Sequence, residues 1–533
     1  MGDFMGAKEA IKLVGISKRF GDNYANKNIN LTLYKGEILA VLGENGCGKT
    51  TLMNVISGIY KPDEGKILIN DEEIKMKSPA LAYKYGIGMV HQHFKLIDVF
   101  TTFENIILGD NTHFCNNKRK KEIILNIAKL YGFEIDLNKK IADMSVSEKQ
   151  TVEIVKILYK DANILILDEP TAVLTPQEID KFFDVLRAMK SHGKSVIIIT
   201  HKLNEVMEIS DRVMVLRKGE NVKTVITKET NPKELTDLMV GQKVNLKIDR
   251  LKIHATSPTL EIRNLNVLKD DGTIATKDLS FFLRGGQILG VAGIAGCGQK
   301  EMCEALVGLR HYRGVIVHNG KCINNYNAEK IRELGVYMSF IPEDRLGLGL
   351  APSLSVADNL LLKNYNEGKG VFINKTKARE QAKYLIERYH VAGATPDTPV
   401  KNLSGGNVQK ILVGREIGTN PTVLITAYPV RGLDINSSYM IYDILNAEKK
   451  KNTAILFIGE DLDVLLQFCD KIMVLHHGKN MGIVHTKNTT KEEIGLMMTG
   501  QLDLTSNIEN FGYAKDSSLT EDEWEKLYES KKH

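Results

Sequence analysis

Residues 43–50 read GENGCGKT, which fits G-x-x-x-x-G-K-[ST], a pattern suited to holding a polyphosphate. Glycines let a short loop wrap an anion with its backbone N–H groups, and a helix starting at the loop adds its positive N-terminal end. On this reading Gly43, Glu44, Asn45, Gly46, Cys47, Gly48, Lys49, Thr50 and Thr51 form the phosphate-binding segment. Lys49 should reach the β- and γ-phosphates, and the Thr50 hydroxyl should bind Mg²⁺. Further along, residues 164–170 read ILILDEP, an apolar run ending in two carboxylates. Asp168 fits a group that holds Mg²⁺ in a phosphate-loop ATPase, either directly or through a bound water, and Glu169 fits the group that polarises an attacking water. His201 follows the apolar run 196–199 and Gln92 follows the run 87–90, so each is placed to sense a γ-phosphate. Phe20 offers a ring for stacking on adenine.

These side chains need rigid supports. The runs 38–42, 87–90, 164–167 and 196–199 are strand-sized and apolar throughout, the pattern of strands buried on both faces of a parallel sheet. The 533 residues suffice for several domains, and 43% hydrophobic with 26% charged residues is an ordinary globular balance. A net charge of +5 gives no reason to expect a nucleic-acid partner. No apolar stretch approaches the roughly 18 residues of a membrane helix. Residues 1–10 lack the pattern of a signal peptide, so a cytosolic protein is expected. None of the six cysteines forms a C-x-x-C pair, so neither a zinc site nor a redox motif is expected.

The chain repeats itself. VLGENGCGKT at 41–50 returns as VAGIAGCGQK at 291–300, and LMVGQ at 238–242 returns as MMTGQ at 497–501. Gly43 and Gly293 are 250 residues apart, too long a period for a solenoid, so a duplicated domain is expected. The division is residues 1–245, a polar linker 246–258, residues 259–505, and a tail 506–533. In the tail, Thr520 and Glu523 fit a capping box, consistent with either a short docking helix or a solvated end.

Phe20, GENGCGKT, Gln92, ILILDEP and THKL at 200–203 together resemble the nucleotide-binding domain of ABC ATPases, over residues 11–502. The resemblance implies an α/β fold: two tandem phosphate-loop domains, each with a RecA-like core, a helical subdomain and an antiparallel β-subdomain. It implies catalytic positions for Glu169, His201 and Gln92, with Mg²⁺ held by Thr50, Gln92 and Asp168. It also implies a motif, typically LSGGQ, that binds the γ-phosphate of ATP held by the opposite domain. The second half keeps this as Ser404, Gly405, Gly406 and Asn407, whereas the first half reads MSVSE at 144–148.

The second half is degraded elsewhere. Gln299 and Lys300 replace the Lys–Thr pair, Ala427 and Tyr428 replace Asp–Glu, and Glu460 replaces the histidine. In the family's head-to-tail pairing, one composite site would have all its parts: Lys49, Asp168, Glu169 and His201 with Ser404, Gly405 and Gly406. The other would have all of its parts altered. The intact site should hydrolyse ATP, and the altered one, whose backbone amides at 293–298 leave nucleotide binding open, should hydrolyse it poorly. A fused pair of this kind resembles ATPase subunits that drive uptake of simple sugars and nucleosides, carried here by LTPQE at 174–178, IPEDR at 341–345, PVRGLD at 429–434 and GEDLD at 459–463. HQHF at 91–94 is closer to the purine-nucleoside branch than to the ribose or galactose branch. The resemblance further implies two permease subunits, an extracytoplasmic solute-binding protein, no nucleic acid, and a peripheral position on the cytoplasmic face of the membrane. Residues 93–110 would help receive a permease helix. A soluble twin-cassette ATPase acting on ribosomes or nucleic acid is the alternative. Such proteins usually keep both sites and carry a long basic insertion between halves, where this chain has a short linker.

Overall fold

The computed structural model describes residues 8–91, 94–110, 116–172, 174–241, 248–251, 253, 258–324, 326–333, 338–364 and 375–505. The tail at 506–533 therefore lies outside the described residues. The chain divides into two compact units, residues 1–247 with 432–438, and residues 248–431 with 439–533.

In the first unit a six-stranded sheet has the order Glu220–Ile226, Arg212–Arg217, Ile38–Leu42, Ser195–Thr200, Ile164–Asp168, Ile87–Val90. The last five strands run parallel, and Glu220–Ile226 is an antiparallel edge. Every residue of Ile38–Leu42, Ile164–Asp168 and Ser195–Thr200 is buried, as the uniform apolar runs predict. Alternate residues serve opposite faces. Leu39 and Val41 join a core with Leu52, Met53 and Val55 of the helix Lys49–Ile56. Ile38, Ala40 and Leu42 join a core with Phe183, Leu186 and Met189 of the helix Pro176–Ser191. A one-residue slip in register would exchange these faces, so packing fixes which residue ends each strand. A four-stranded antiparallel sheet, in the order Asn23–Tyr34, Glu9–Phe20, Glu64–Ile69, Glu72–Ile74, completes one face. A smaller helical layer packs Phe103, Ile106, Ile124, Val152 and Val155 together.

The second unit repeats this plan. Its six strands follow the corresponding order: Lys479–His485, Lys471–His476, Ile288–Gly293, Ala454–Ile458, Val423–Ala427, Met338–Ile341. Its antiparallel sheet is built from Ile274–Arg284, Pro258–Leu268, Tyr312–His318 and Lys321–Cys322. The α/β architecture expected from the sequence is thus present twice. Part of the expected linker is fastened to the second unit. Asn446 Nδ2 donates to Asp249 O at 2.6 Å, Arg250 Nη1 to Cys469 O at 3.1 Å, and Lys449 Nζ to Leu251 O at 2.7 Å.

Candidate functional site

Parallel neighbours bring their following residues to one edge of the sheet, where open α/β sheets bind ligands. In the first unit Ile38–Leu42, Ser195–Thr200 and Ile164–Asp168 are adjacent, so the loop at 43–48, His201 and Glu169 converge there.

The loop is held by its backbone. Gly48 has φ +103°, and a Cβ there would stand 2.2 Å from Ala25 O and 2.7 Å from Asn26 Nδ2. A Cβ on Gly43 would meet Leu216 O at 2.4 Å. Asn26 Nδ2 donates to Gly48 O at 3.1 Å and Gly219 N donates to Cys47 O at 3.0 Å, so the first unit's sheets grip the loop from behind. Asn45 and Gly46 are exposed at its tip. Cys47 is buried in the core, and burial pushes its thiol up, which keeps it a neutral packing residue. The helix Lys49–Ile56 begins at Gly48 without a side-chain cap, which leaves its first N–H groups for an anion. Lys49 is buried and folds back over the loop, its Nζ donating to Gly43 O at 2.6 Å and Glu44 O at 2.9 Å.

Thr50 Oγ1 lies 3.3 Å from Asp168 Oδ2, joining helix and strand end, while Thr51 is partly buried on the next position. Asp168 is 6% exposed, and burial followed by the charge of Glu169 holds its carboxyl above the ordinary carboxylate range. A buried carboxylate short of positive charge, with a hydroxyl beside it, is the hard oxygen pair that Mg²⁺ takes together with substrate phosphates. Thr50 and Asp168 therefore fit that ion. Gln92 lies outside the described residues.

Glu169 occupies a left-handed turn with φ +48°, its N–H donating to Ile199 O at 2.9 Å. For a residue with a Cβ this conformation costs about 1–2 kcal/mol. The turn aims the carboxylate at His201, with Oε1 to Nδ1 at 3.0 Å. That hydrogen bond, opposed by burial, lowers the Glu169 carboxyl and keeps it ionised. Phe20 ends the strand Glu9–Phe20 half exposed, and Tyr60 meets it edge-on, centroids 5.5 Å apart. Sequence reasoning missed Tyr60, which lies far from Phe20 along the chain.

The second unit keeps the backbone and changes the chemistry. Gly298 has φ +93° and the same 2.2 Å approach, to Ala275 O. Gln299 Nε2 donates to Ile294 O at 3.1 Å, so its amide spans the loop as Lys49 does in the first unit. Tyr428 has φ +50°, and its N–H donates to Ile458 O at 2.9 Å, a copy of the Glu169 turn without a carboxylate. Glu460 pairs with Arg431 at 3.0 Å. Ser404 caps the helix Gly405–Ile417, with Gly405 and Gly406 in its first turn. Asn407 spends its side chain locally, donating to Ala392 O at 2.9 Å and accepting from Ala392 N at 3.3 Å. In the first unit Ser145 and Glu148 form a reciprocal capping box on Val146–Tyr159. The S-x-x-E spacing at 145–148 is the sequence signal for that box.

A glycine loop gripped from behind, a lysine laid across it and an Asp–Glu strand end on a parallel sheet define a phosphate-loop ATPase, whose fold is present twice. Residues 26–172 and 276–429 match the ABC transporter family. The chain is 41% identical over 503 residues to the nucleoside import ATP-binding protein NupA of Lactococcus lactis subsp. cremoris, a match spanning 93% of this chain and 99% of that one. It is 42% identical over 500 residues to the guanosine import ATP-binding protein NupO of Bacillus subtilis, spanning 92% and 97%. It is 33% identical over 497 residues to the ribose import ATP-binding protein RbsA of Bacillus subtilis, spanning 92% and 99%. The chain belongs to the ABC transporter family and is an ATP-binding, ATP-hydrolysing subunit.

Proposed function

We propose that this chain powers import of a nucleoside through membrane permease partners, hydrolysing ATP at the site built on its first unit. The observation that carries the hydrolytic assignment is the contrast between two copies of one turn: Glu169 bonded to His201 in the first, Tyr428 in the second. Near full-length similarity to nucleoside and guanosine import proteins, at higher identity than to the ribose protein, favours a nucleoside as solute. The same similarity favours import over the ribosome or nucleic-acid alternative.

Lys49 would leave Gly43 O and Glu44 O for the β- and γ-phosphate oxygens, exchanging two carbonyl contacts for stronger charge-assisted ones. Thr50, Asp168 and Gln92 would hold Mg²⁺, which supplies charge neutralisation on the phosphate oxygens when bound. Glu169 orients a water and accepts its proton as the water oxygen bonds to the γ-phosphorus. The bond to the bridging oxygen breaks, and ADP and phosphate leave. His201 steadies Glu169 and contacts the γ-phosphate, and Phe20 stacks on adenine. The intact Ser404–Gly405–Gly406 turn would complete this site, and an extracytoplasmic binding protein would deliver the solute. The sorting of all substitutions into the other composite site supports that pairing of halves.

Docking to a permease on the cytoplasmic face of the membrane is supported by exposed apolar side chains within residues 94–110. Ile97, Val99 and Leu108 are exposed, while fully buried Asn105 fixes the backbone at Ile97, accepting from its N at 2.8 Å and donating to its O at 3.1 Å. No helix among the described residues is long and apolar enough to cross a membrane. The test is uptake of radiolabelled guanosine and ribose by cells carrying the wild-type or Lys49→Ala chain. The expected result is guanosine uptake lost with Lys49→Ala and ribose uptake unchanged. Unchanged guanosine uptake would refute the assignment.

A further inference from the structure

Behind Glu169 and His201 lies a buried polar cluster. Glu205, on the helix Leu203–Ile209, is 7% exposed, with Thr171 at 1% and Thr200 at 2%. Glu205 Oε2 accepts from Thr171 Oγ1 at 2.5 Å and from Thr200 Oγ1 at 3.3 Å. Its other oxygen lies 3.0 Å from Lys202 Nζ, which also donates to Thr171 O at 3.0 Å. Lys202 N donates to Thr200 Oγ1 at 3.0 Å. Thr171 lies two residues after Glu169, and Thr200 and Lys202 flank His201. One carboxylate therefore ties together the two loops that carry the water-orienting glutamate and its histidine.

The second unit supplies an internal control. At the corresponding positions it has Val430, Gly459, Asp461 and Val464, so all four cluster members are replaced. Asp461 instead caps its own helix, accepting from Asp463 N at 2.8 Å and Val464 N at 3.4 Å. Yet the second unit forms the same left-handed turn with the same backbone bond, 2.9 Å in both units. The cluster is thus dispensable for building the turn and is present where the hydrolytic pair is present. Burying the Glu205 carboxylate is costly unless it is well bonded, and the half-buried Lys202 beside it supplies only part of that bonding, which argues for a task beyond folding.

We propose that Glu205, with Thr171, Thr200 and Lys202, is a positioning unit that fixes the separation of Glu169 and His201 during hydrolysis. This rests on the hydrolytic reading of the first site. Small misplacements of reacting groups cost large factors in rate, whereas ATP affinity is set mainly by the phosphate loop, to which the cluster's hydrogen bonds do not reach.

The experiment is steady-state ATP hydrolysis by the full chain carrying Thr171→Val, Thr171→Ser, Thr200→Val or Glu169→Gln. Thr171→Val removes one hydroxyl at nearly constant volume and should lower kcat about 10- to 100-fold with KM within about twofold. Thr171→Ser restores the donor and should return kcat to within about threefold of wild type. Thr200→Val, on the other loop, should also lower kcat, and it decides the matter should Thr171→Val fail to fold. Adding Thr171→Val to Glu169→Gln should cause no further loss, because the two act as a unit. A wild-type kcat in either valine variant, with Glu169→Gln inactive, overturns the positioning role and leaves the site intact. Equal loss in Thr171→Val and Thr171→Ser also overturns it. Activity in Glu169→Gln would instead overturn the hydrolytic reading beneath it.

Discussion

Replacing Gly48 by alanine should separate the loop's shape from its charge. The residue sits at φ +103°, which costs an L-residue about 1–2 kcal/mol. Its Cβ would lie 2.2 Å from Ala25 O, more than 1 Å inside ordinary contact, and 2.7 Å from Asn26 Nδ2. Both are held by the strand Asn23–Tyr34, so the loop itself must move, weakening the Asn26 Nδ2 to Gly48 O bond of 3.1 Å. Losing that bond adds about 1 kcal/mol. The total, about 2–3 kcal/mol, is relieved only when the loop leaves its phosphate-binding shape, which corresponds to a roughly 30- to 150-fold loss in kcat/KM for ATP. Gly36→Ala is the control, since Gly36 has a similar left-handed φ of +70° but its Cβ would meet nothing nearer than 3.8 Å. It should cost about 1 kcal/mol of stability and leave kcat/KM within about twofold. Steady-state hydrolysis by the full-length variants measures both. Equal kinetic losses in the two, or an unaffected Gly48→Ala, would refute the claim that the grip on Gly48 shapes the phosphate site.

Asp168→Asn should abolish hydrolysis yet stabilise the nucleotide-free protein at neutral pH. Because burial raises the Asp168 carboxyl, the folded state holds its proton longer than the unfolded state. Wild-type stability from this group therefore falls as pH rises above about 4, and the asparagine's advantage should open over that range. Melting temperatures measured in chelator between pH 4 and 8 check this, and a lower melting point for the variant at pH 7 would contradict it. Phe20→Ala should raise KM for ATP roughly fivefold, about 1 kcal/mol of stacking, with little change in melting temperature because the ring is half exposed.

The central strands were legible because each is buried on both faces, so its apolar run needs no partner to be recognised. The phosphate loop and the Asp168–Glu169 pair were legible because their chemistry is encoded within a few residues. Tyr60 beside Phe20, and Glu205 between Thr171 and Thr200, were not. Their partners lie on other elements, and only the strand order brings them together. The left-handed turn at Glu169 was hidden for another reason. Glutamate rarely adopts it, and nothing local encodes it beyond the backbone bond to Ile199. Residues 249–251 read as polar tether by composition. Their carbonyls and the Arg250 guanidinium are instead absorbed by Asn446, Lys449 and the backbone of Cys469.

The most direct measurement compares ATP turnover by the full chain carrying Glu169→Gln with turnover by the chain carrying Tyr428→Phe, which removes the side-chain hydroxyl at the matching turn of the second unit. Turnover should fall at least about 100-fold in the first and stay within about twofold in the second. Comparable activity in the two variants would contradict a single hydrolytic centre on the first unit.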